Sequence, residues 1–356
     1  MVERFQNYIG GKFVDAGDGR TFDSLDPYAG EAWAAIPEGS TEDIDHAVAA
    51  ARSALQGEWG KMTGFQRAAL MRRLADLITE NAERLARVEV RDNGKLYREM
   101  IGQLQGLGAW YQYFAGHADK IEGRVIPTDK PNYFCFTRRE PVGVVGAITP
   151  WNSPLLLMTF KLAPGLAAGC TFVVKPSEHS PASTLAFAQV LDEAGFPPGV
   201  FNVVAGSSRE LGAALAGHKG VDKVAFTGST ATGRAVAHAA ADNVNRVTLE
   251  LADHLPVELA VVAHLDPRQP LGVLRDQVGE PAHQPRPLEA GHLAPLARKG
   301  AAGGGDGVVD VLGAALGDRR PRLARIRVEG VEGAPVARVD ELAADVVLEP
   351  FDHDPS

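Results

Sequence analysis

The sequence predicts an α/β protein, built on a parallel sheet with helices on its faces and preceded by helices and an exposed hairpin. Three observations predict it. After Pro141, short β-branched runs alternate with helical stretches at the spacing of βαβ units. Before that point, apolar residues recur with helical period over several turns. Between the two regions, residues 123–141 alternate in character around a Pro-containing turn.

Taken in order, Ser40-Thr41-Glu42-Asp43 is a capping box, and Ile44, Ala47, Val48 and Ala51 follow it on one helical face. A second helix carries Leu70, Leu74, Leu77 and Ile78, continues through Leu85 and Val88, and stops at Asn93-Gly94. Trp110, Tyr111, Tyr113 and Phe114 lie in a further helical stretch, where packing explains them better than ligand stacking. Asp129-Lys130-Pro131-Asn132 supplies the hairpin turn. Strand runs then follow at 142–149, 171–175, 200–204, 223–226 and 247–251, with helices expected at 155–168, 184–194, 208–216 and 232–241. Ligands bind at the carboxyl ends of such strands.

Composition bounds the function and exposes a break. The chain has 356 residues with 36 Lys+Arg against 45 Asp+Glu, and its net charge of −9 argues against nucleic-acid or anionic-membrane binding. Two cysteines, Cys135 and Cys170, make no disulfide framework, so a reducing, cytoplasmic setting is expected. No run is apolar enough to span a membrane, and no His spacing makes a metal site, so no metal is expected. All four Trp, all six Tyr and all five Met precede residue 252, as do thirteen of the fourteen Phe. Residues 252–356 are Ala, Gly, Pro, Arg, Asp, Val and Leu in the main, and they lack Asn, Thr and Cys. Either this tail is a low-complexity extension, irregular or disordered, or it is translated outside its natural frame. Only Val339 to Val347 keeps a weak helical pattern, and the arginines at 319, 320, 322, 325 and 327 either bind an acidic partner or, as the plainer reading, reflect the GC-rich codons that encode most of the tail's residues.

Several residues at predicted strand ends carry chemistry. Asn152, in Thr149-Pro150-Trp151-Asn152, can donate to a developing oxyanion, or it is an ordinary turn or cap residue. Lys175 and Glu178, in Lys175-Pro176-Ser177-Glu178, can grip two ribose hydroxyls, or they form a solvated loop pair. Phe226-Thr227-Gly228-Ser229 followed by a helix start can hold a pyrophosphate, although it is neither a GxGxxG fingerprint nor a P-loop. Glu250 sits where a carboxylate can act as general base, with strand-edge solvation as the plainer reading.

Together these motifs are specific. Ile9-Gly10-Gly11-Lys12, Asp26-Pro27, Asp92-Asn93-Gly94-Lys95, Glu140-Pro141-Val142-Gly143, Pro150-Trp151-Asn152, Lys175-Pro176-Ser177-Glu178, Phe226-Thr227-Gly228-Ser229-Thr230 and Leu249-Glu250-Leu251 occur in this order. Over residues 6–251 the chain resembles the N-terminal half of NAD(P)-dependent aldehyde dehydrogenases. The resemblance implies an aldehyde-dehydrogenase-like, Rossmann-type sheet, with an N-terminal helical part at 1–122, an oligomerisation hairpin at 123–141 and an NAD-binding part at 142–251. It implies oxidation of an aldehyde to a carboxylic acid through a cysteine thioester, with hydride transfer to the nicotinamide. Asn152 would then be the oxyanion donor, Glu250 the base, and Lys175 with Glu178 the ribose clamp. Gly228 and Ser229 would contact the pyrophosphate and Trp151 would line the cleft. NAD is expected over NADP, because the Glu178 carboxylate repels a 2′-phosphate. A homo-oligomer through the hairpin is also implied.

The resemblance stops at Leu251. The family continues Glu-Leu-Gly-Gly-Lys, whereas this chain continues Glu250-Leu251-Ala252-Asp253-His254. At the expected nucleophile it reads His283-Gln284-Pro285, and no Cys follows Cys170. Residues 252–356 therefore stand in place of the catalytic domain, as in a truncated or frameshifted gene. The chain is expected to be impaired in aldehyde oxidation, or to serve as a non-catalytic NAD-binding or subunit-assembly fragment.

Overall fold

A computed structural model describes residues 2–251, together with the backbone of three strands further on. The chain divides into two compact units, one of residues 1–265 with 345–356 and the other of residues 266–344.

The first unit opens with five strands that the periodicity reading did not find: β1 (Glu3–Arg4), β2 (Asn7–Ile9), β3 (Lys12–Val14), β4 (Thr21–Leu25) and β5 (Ala32–Pro37). The 1–122 segment is therefore helical only after Pro37. Strands β1, β5 and β4 make a small sheet of their own. Gly10 and Gly11 turn β2 back on β3 at φ of +59° and +80°, a tight turn open to glycine at little cost.

Helix α1 (Thr41–Gln56) begins as expected: the Asp43 N–H donates to Ser40 Oγ and the Ser40 N–H donates to Asp43 Oδ2 at 2.8 Å. Its predicted stripe of Ile44, Ala47, Val48 and Ala51 is buried. After the short α2 (Glu58–Lys61), the single helix expected through Leu70 and Val88 is two helices, α3 (Gly64–Glu80) and α4 (Ala82–Asn93). Asn81 marks the break: at φ −91° and ψ 1° it is both the C-cap of α3 and the N-cap of α4, and its side-chain amide joins its backbone N–H on the Leu77 carbonyl. Gly94 closes α4 at φ +69°, as predicted. Helix α5 (Tyr97–Ala115) carries the aromatic group, of which Tyr111 is fully buried, whereas Trp110 and Tyr113 are exposed. Strands β6 (Val125–Ile126) and β7 (Tyr133–Arg138) are the antiparallel hairpin.

The chain then alternates without interruption through β8 (Val144–Ile148), α6 (Pro154–Ala168), β9 (Thr171–Lys175), α7 (Ala182–Glu193), β10 (Phe201–Val203), α8 (Arg209–Ala216), β11 (Lys223–Gly228), α9 (Thr230–Ala241) and β12 (Arg246–Leu251). The five strands are parallel and lie in the order β12-β11-β8-β9-β10. The sheet is not wholly parallel, as was expected, because β2 and β3 extend it antiparallel beside β10. Side chains alternate between two cores. Val145, Ala147, Phe172 and Val174 join the helices α3 to α7, whereas Val144, Ile148, Val173 and Phe226 join α1, α8 and α9. Among the described residues β12 is the far edge of the sheet, with Val247 and Leu251 exposed.

Helix α6 approaches β9 so closely that a Cβ on Gly165 would stand 2.2 Å from the ring of the buried Phe172. We expect Gly165→Ala to cost about 1–3 kcal/mol through overpacking, read as a lowered denaturant midpoint at unchanged slope.

Beyond β12, the backbones of β13 (Val308–Leu312) and β14 (Ala324–Arg327) pair antiparallel in the second unit. Strand β15 (Asp345–Pro350) pairs antiparallel with β7 in the first. The tail is thus not irregular throughout. The helix expected at 339–347 is corrected at residues 345–347, where β-branched Val346 and Val347 pair opposite Thr137 and Phe136. Residues 339–344, the His283 region and the arginines at 319, 320 and 322 lie outside the described residues.

Candidate functional site

Strand β8 has β9 on one side and β11 on the other, so the winding of the sheet reverses there. In open α/β sheets the ligand crevice lies outside the carboxyl ends of the strands at that switch point. Every residue singled out at a strand end in the sequence falls at this end of the sheet, on β8, β9, β11, β12 or the segments that follow them.

The turn after β8 carries half-buried Trp151 and Asn152. Asn152 Oδ1 is buried without a hydrogen-bond partner, so the side chain does not cap α6, and Thr149 Oγ1 nearby in sequence is likewise unpaired. The plainer reading of Asn152 as a cap is therefore not what the fold uses. Lys175, the last residue of β9, is buried and places Nζ 3.3 Å from Glu178 Oε2. The lysine end of the pair is buried, whereas the Glu178 side chain keeps 39% of its surface exposed. Burial raises the Glu178 carboxyl, but Lys175, backbone donors and His179 outweigh it and hold the group below its ordinary range.

Gly228 ends β11, and Ser229 caps α9 by accepting from the Thr232 N–H. The Ser229 hydroxyl also donates to Thr232 Oγ1, so it is committed to the cap. A phosphate at this helix start would meet backbone N–H groups before that side chain.

Glu250 lies opposite Thr227 in the β11–β12 register. Its Oε2 accepts from the Thr227 hydroxyl at 2.8 Å and stands 3.1 Å from Lys161 Nζ. Lys161 also donates to Thr227 Oγ1 at 2.5 Å. Burial lowers the Lys161 ammonium, and the Glu250 carboxylate partly restores it. The sequence reading missed Lys161 and Thr227. The signal was present, since Lys161 is the one charged side chain in the otherwise apolar α6. No hydrogen bond joins Asn152 to Glu250 among the described residues.

Both cysteines are buried. Burial pushes the Cys170 thiol up, which is the wrong direction for a nucleophile. Among the described residues no cluster of three His, Cys, Asp or Glu side chains could hold a metal ion, and no helix is long and apolar enough to cross a membrane.

A switch-point crevice between β8 and β11, lined by a buried lysine paired with a part-exposed carboxylate and by a helix start, defines a Rossmann-like α/β protein. Comparison with known proteins narrows this class. Residues 13–266 match the aldehyde dehydrogenase family, and the chain belongs to it. It is 47% identical over 256 residues to the (Z)-2-((N-methylformamido)methylene)-5-hydroxybutyrolactone dehydrogenase of Acinetobacter baylyi, covering 72% of this chain and 52% of that one. It is 45% identical over 270 residues to aldehyde dehydrogenase family 2 member C4 of Arabidopsis thaliana, covering 75% and 54%. The NAD+ complex of an aldehyde dehydrogenase from Bacillus cereus superposes with a TM-score of 0.68 at 44% identity, covering 73% and 55%. The chain spans about half the length of the curated relatives it matches.

Proposed function

We propose that this chain binds NAD at the carboxyl ends of β8, β9 and β11, and supplies the cofactor half of an aldehyde-oxidising site without the thiol that the oxidation needs. The observation that carries the reading is the convergence of Trp151, Asn152, Lys175, Glu178, Gly228 and Ser229 on the switch-point end of one doubly wound sheet. Fit to a dinucleotide is supported by the unpaired polar atoms Thr149 Oγ1 and Asn152 Oδ1, and by the Lys175–Glu178 pair.

In this reading Glu178 accepts from the adenosine ribose hydroxyls and Lys175 holds it in place, so NAD is bound in preference to NADP. Backbone groups at Gly228 and Ser229 face the pyrophosphate, and Trp151 lines the cleft. Bound NAD would serve as the hydride acceptor. Asn152 would donate to the aldehyde oxygen as charge develops on it. Glu250 would hold the proton of an attacking water or thiol, with Lys161 and Thr227 fixing its carboxylate. The hairpin at 123–141 would join subunits into a homo-oligomer, and the 1–122, 123–141 and 142–251 segments would act as one cofactor-binding body.

A thiol nucleophile is required for the thioester step, and Cys135 and Cys170 are buried away from this role. No Cys follows Cys170, and the composition break falls at residue 252, which supports reading 252–356 as translated outside the family's frame. Translating the coding DNA in all frames tests that point: one that restores Glu-Leu-Gly-Gly-Lys and a downstream Cys supports it. For the protein itself, titration with NAD should quench Trp fluorescence saturably, while NAD plus an aldehyde series yields no NADH. Robust NADH formation by the pure chain would refute the missing-thiol reading, and absence of any NAD binding would refute the cofactor reading.

A further inference from the structure

Helices α6 and α7 begin at the ends of β8 and β9, so their starts set the two loops that border the crevice. Neither has a side-chain cap of its own: Ser153 before α6 and Pro181 before α7 make no capping hydrogen bond. Uncapped helix starts leave backbone N–H groups that must be met from elsewhere.

The end of α4 meets them. Asp92 is buried, and its Oδ2 accepts from the Ala182 N–H, the first of α7, at 2.6 Å. Its other oxygen accepts from the Ser24 hydroxyl at 2.6 Å, and Ser24 in turn accepts from Trp33 Nε1. Glu89, one turn earlier and fully buried, faces the Leu155 N–H in the first turn of α6, although neither of its oxygens closes a hydrogen bond. Asn93 donates from Nδ2 to the Asn152 carbonyl at 3.4 Å, and Lys95 donates from Nζ to Ser153 Oγ at 3.2 Å. The two loops are also tied to each other, since the Ser180 hydroxyl donates to the Trp151 carbonyl at 2.8 Å. Polar groups from one turn of one helix thus reach the backbone of both crevice loops.

We propose that residues 89–95 form a clamp that fixes the 149–153 and 176–181 loops in one arrangement, with Asp92 and Lys95 as its positioning residues for Asn152 and Glu178. The clamp reaches Asn152, Ser153 and Ala182 by hydrogen bonds, so it acts through the loops. Its effect on NAD rests on the function proposed above, whereas its effect on the loops does not.

Hydrogen exchange of the full chain, resolved to short peptides, tests it on Asp92→Asn, Lys95→Met and the control Arg87→Gln. Arg87 is exposed and pairs with Glu83 on the outer face of α4. Asn offers one acceptor where Asp92 uses two, for the Ala182 N–H and the Ser24 hydroxyl, so Asp92→Asn should speed exchange roughly tenfold over residues 180–184, and Lys95→Met should do so more weakly over 152–156, with β8 and β9 unchanged. NAD titration is run at a temperature where melting curves show each variant folded, and affinity should fall about tenfold for Asp92→Asn and not at all for Arg87→Gln. Lys95 is partly exposed, so its variant keeps the test alive where Asp92→Asn fails to fold. A variant that melts lower but keeps loop protection and affinity overturns the clamp. Loosened loops in a chain that never binds NAD uphold the clamp and refute the cofactor reading.

Discussion

Replacing Glu178 by Gln should weaken NAD binding by about 10–100-fold and narrow the preference for NAD over NADP. The argument starts from the burial of its partner. Lys175 is 6% exposed, and among the described residues its ammonium has one carboxylate within reach, at 3.3 Å. Glu178 is held ionised below the ordinary carboxylate range, so at neutral pH it is an acceptor at both oxygens. A carboxylate that accepts from two ribose hydroxyls makes charge-assisted bonds, each worth about 1.5–3 kcal/mol. Gln keeps one acceptor and loses the charge, and it leaves Lys175 buried without its counter-ion. The same change removes repulsion against a 2′-phosphate, so NADP should lose less affinity than NAD. Competition titrations with both dinucleotides on the wild type and the variant would decide it. An unchanged ratio of the two constants would place the ribose elsewhere.

The carboxyl-end side of the sheet was legible because its signals are local. Strand runs ended at residues whose chemistry was visible one by one, and β9 matched its expected bounds. The Ser40 box and the Gly94 stop were readable for the same reason, since caps are fixed by neighbours in sequence. What escaped is set by contacts distant in sequence. Strand β2 has three residues and takes its place through Tyr8 pairing with Val203. Its Gly10-Gly11 turn is a local hairpin signal in that stretch. Asn81 breaks a stretch whose apolar period runs on unbroken, through its own non-helical backbone and a side-chain amide that doubles the bond to the Leu77 carbonyl. Lys161 gains a role only when β11 and β12 bring Thr227 and Glu250 to it. Caps that come from another helix, as Asp92 does for α7, leave no trace in the segment they cap.

Glu89 should make the protein less stable as pH rises, and Glu89→Gln should abolish much of that slope. Burial is the main cause of a carboxyl pushed up from 4.5 to about 8, with the neighbouring Asp92 raising it further. Lys95 and the Leu155 N–H pull the other way and do not prevail. Asp92 is itself raised, to about 7, by burial, against the Ser24, Ala182, Ser183 and Trp33 donors that favour its charged form. In the unfolded chain Glu89 loses its proton near pH 4.5, whereas the folded chain keeps it to about pH 8. The native state therefore binds more protons across that window, so stability is greatest below pH 4.5 for this group and drains away towards pH 8. The total is on the order of a few kcal/mol, a large share of what holds a domain together. Gln presents a neutral side chain at every pH, so the variant should match the wild type near pH 5 and exceed it near pH 8.5. Denaturant unfolding at fixed temperature across pH 5–9 reads this directly. Parallel curves for the two proteins would mean that Glu89 is already charged and compensated in the fold, and that α4 brings a carboxylate rather than a carboxylic acid to the start of α6.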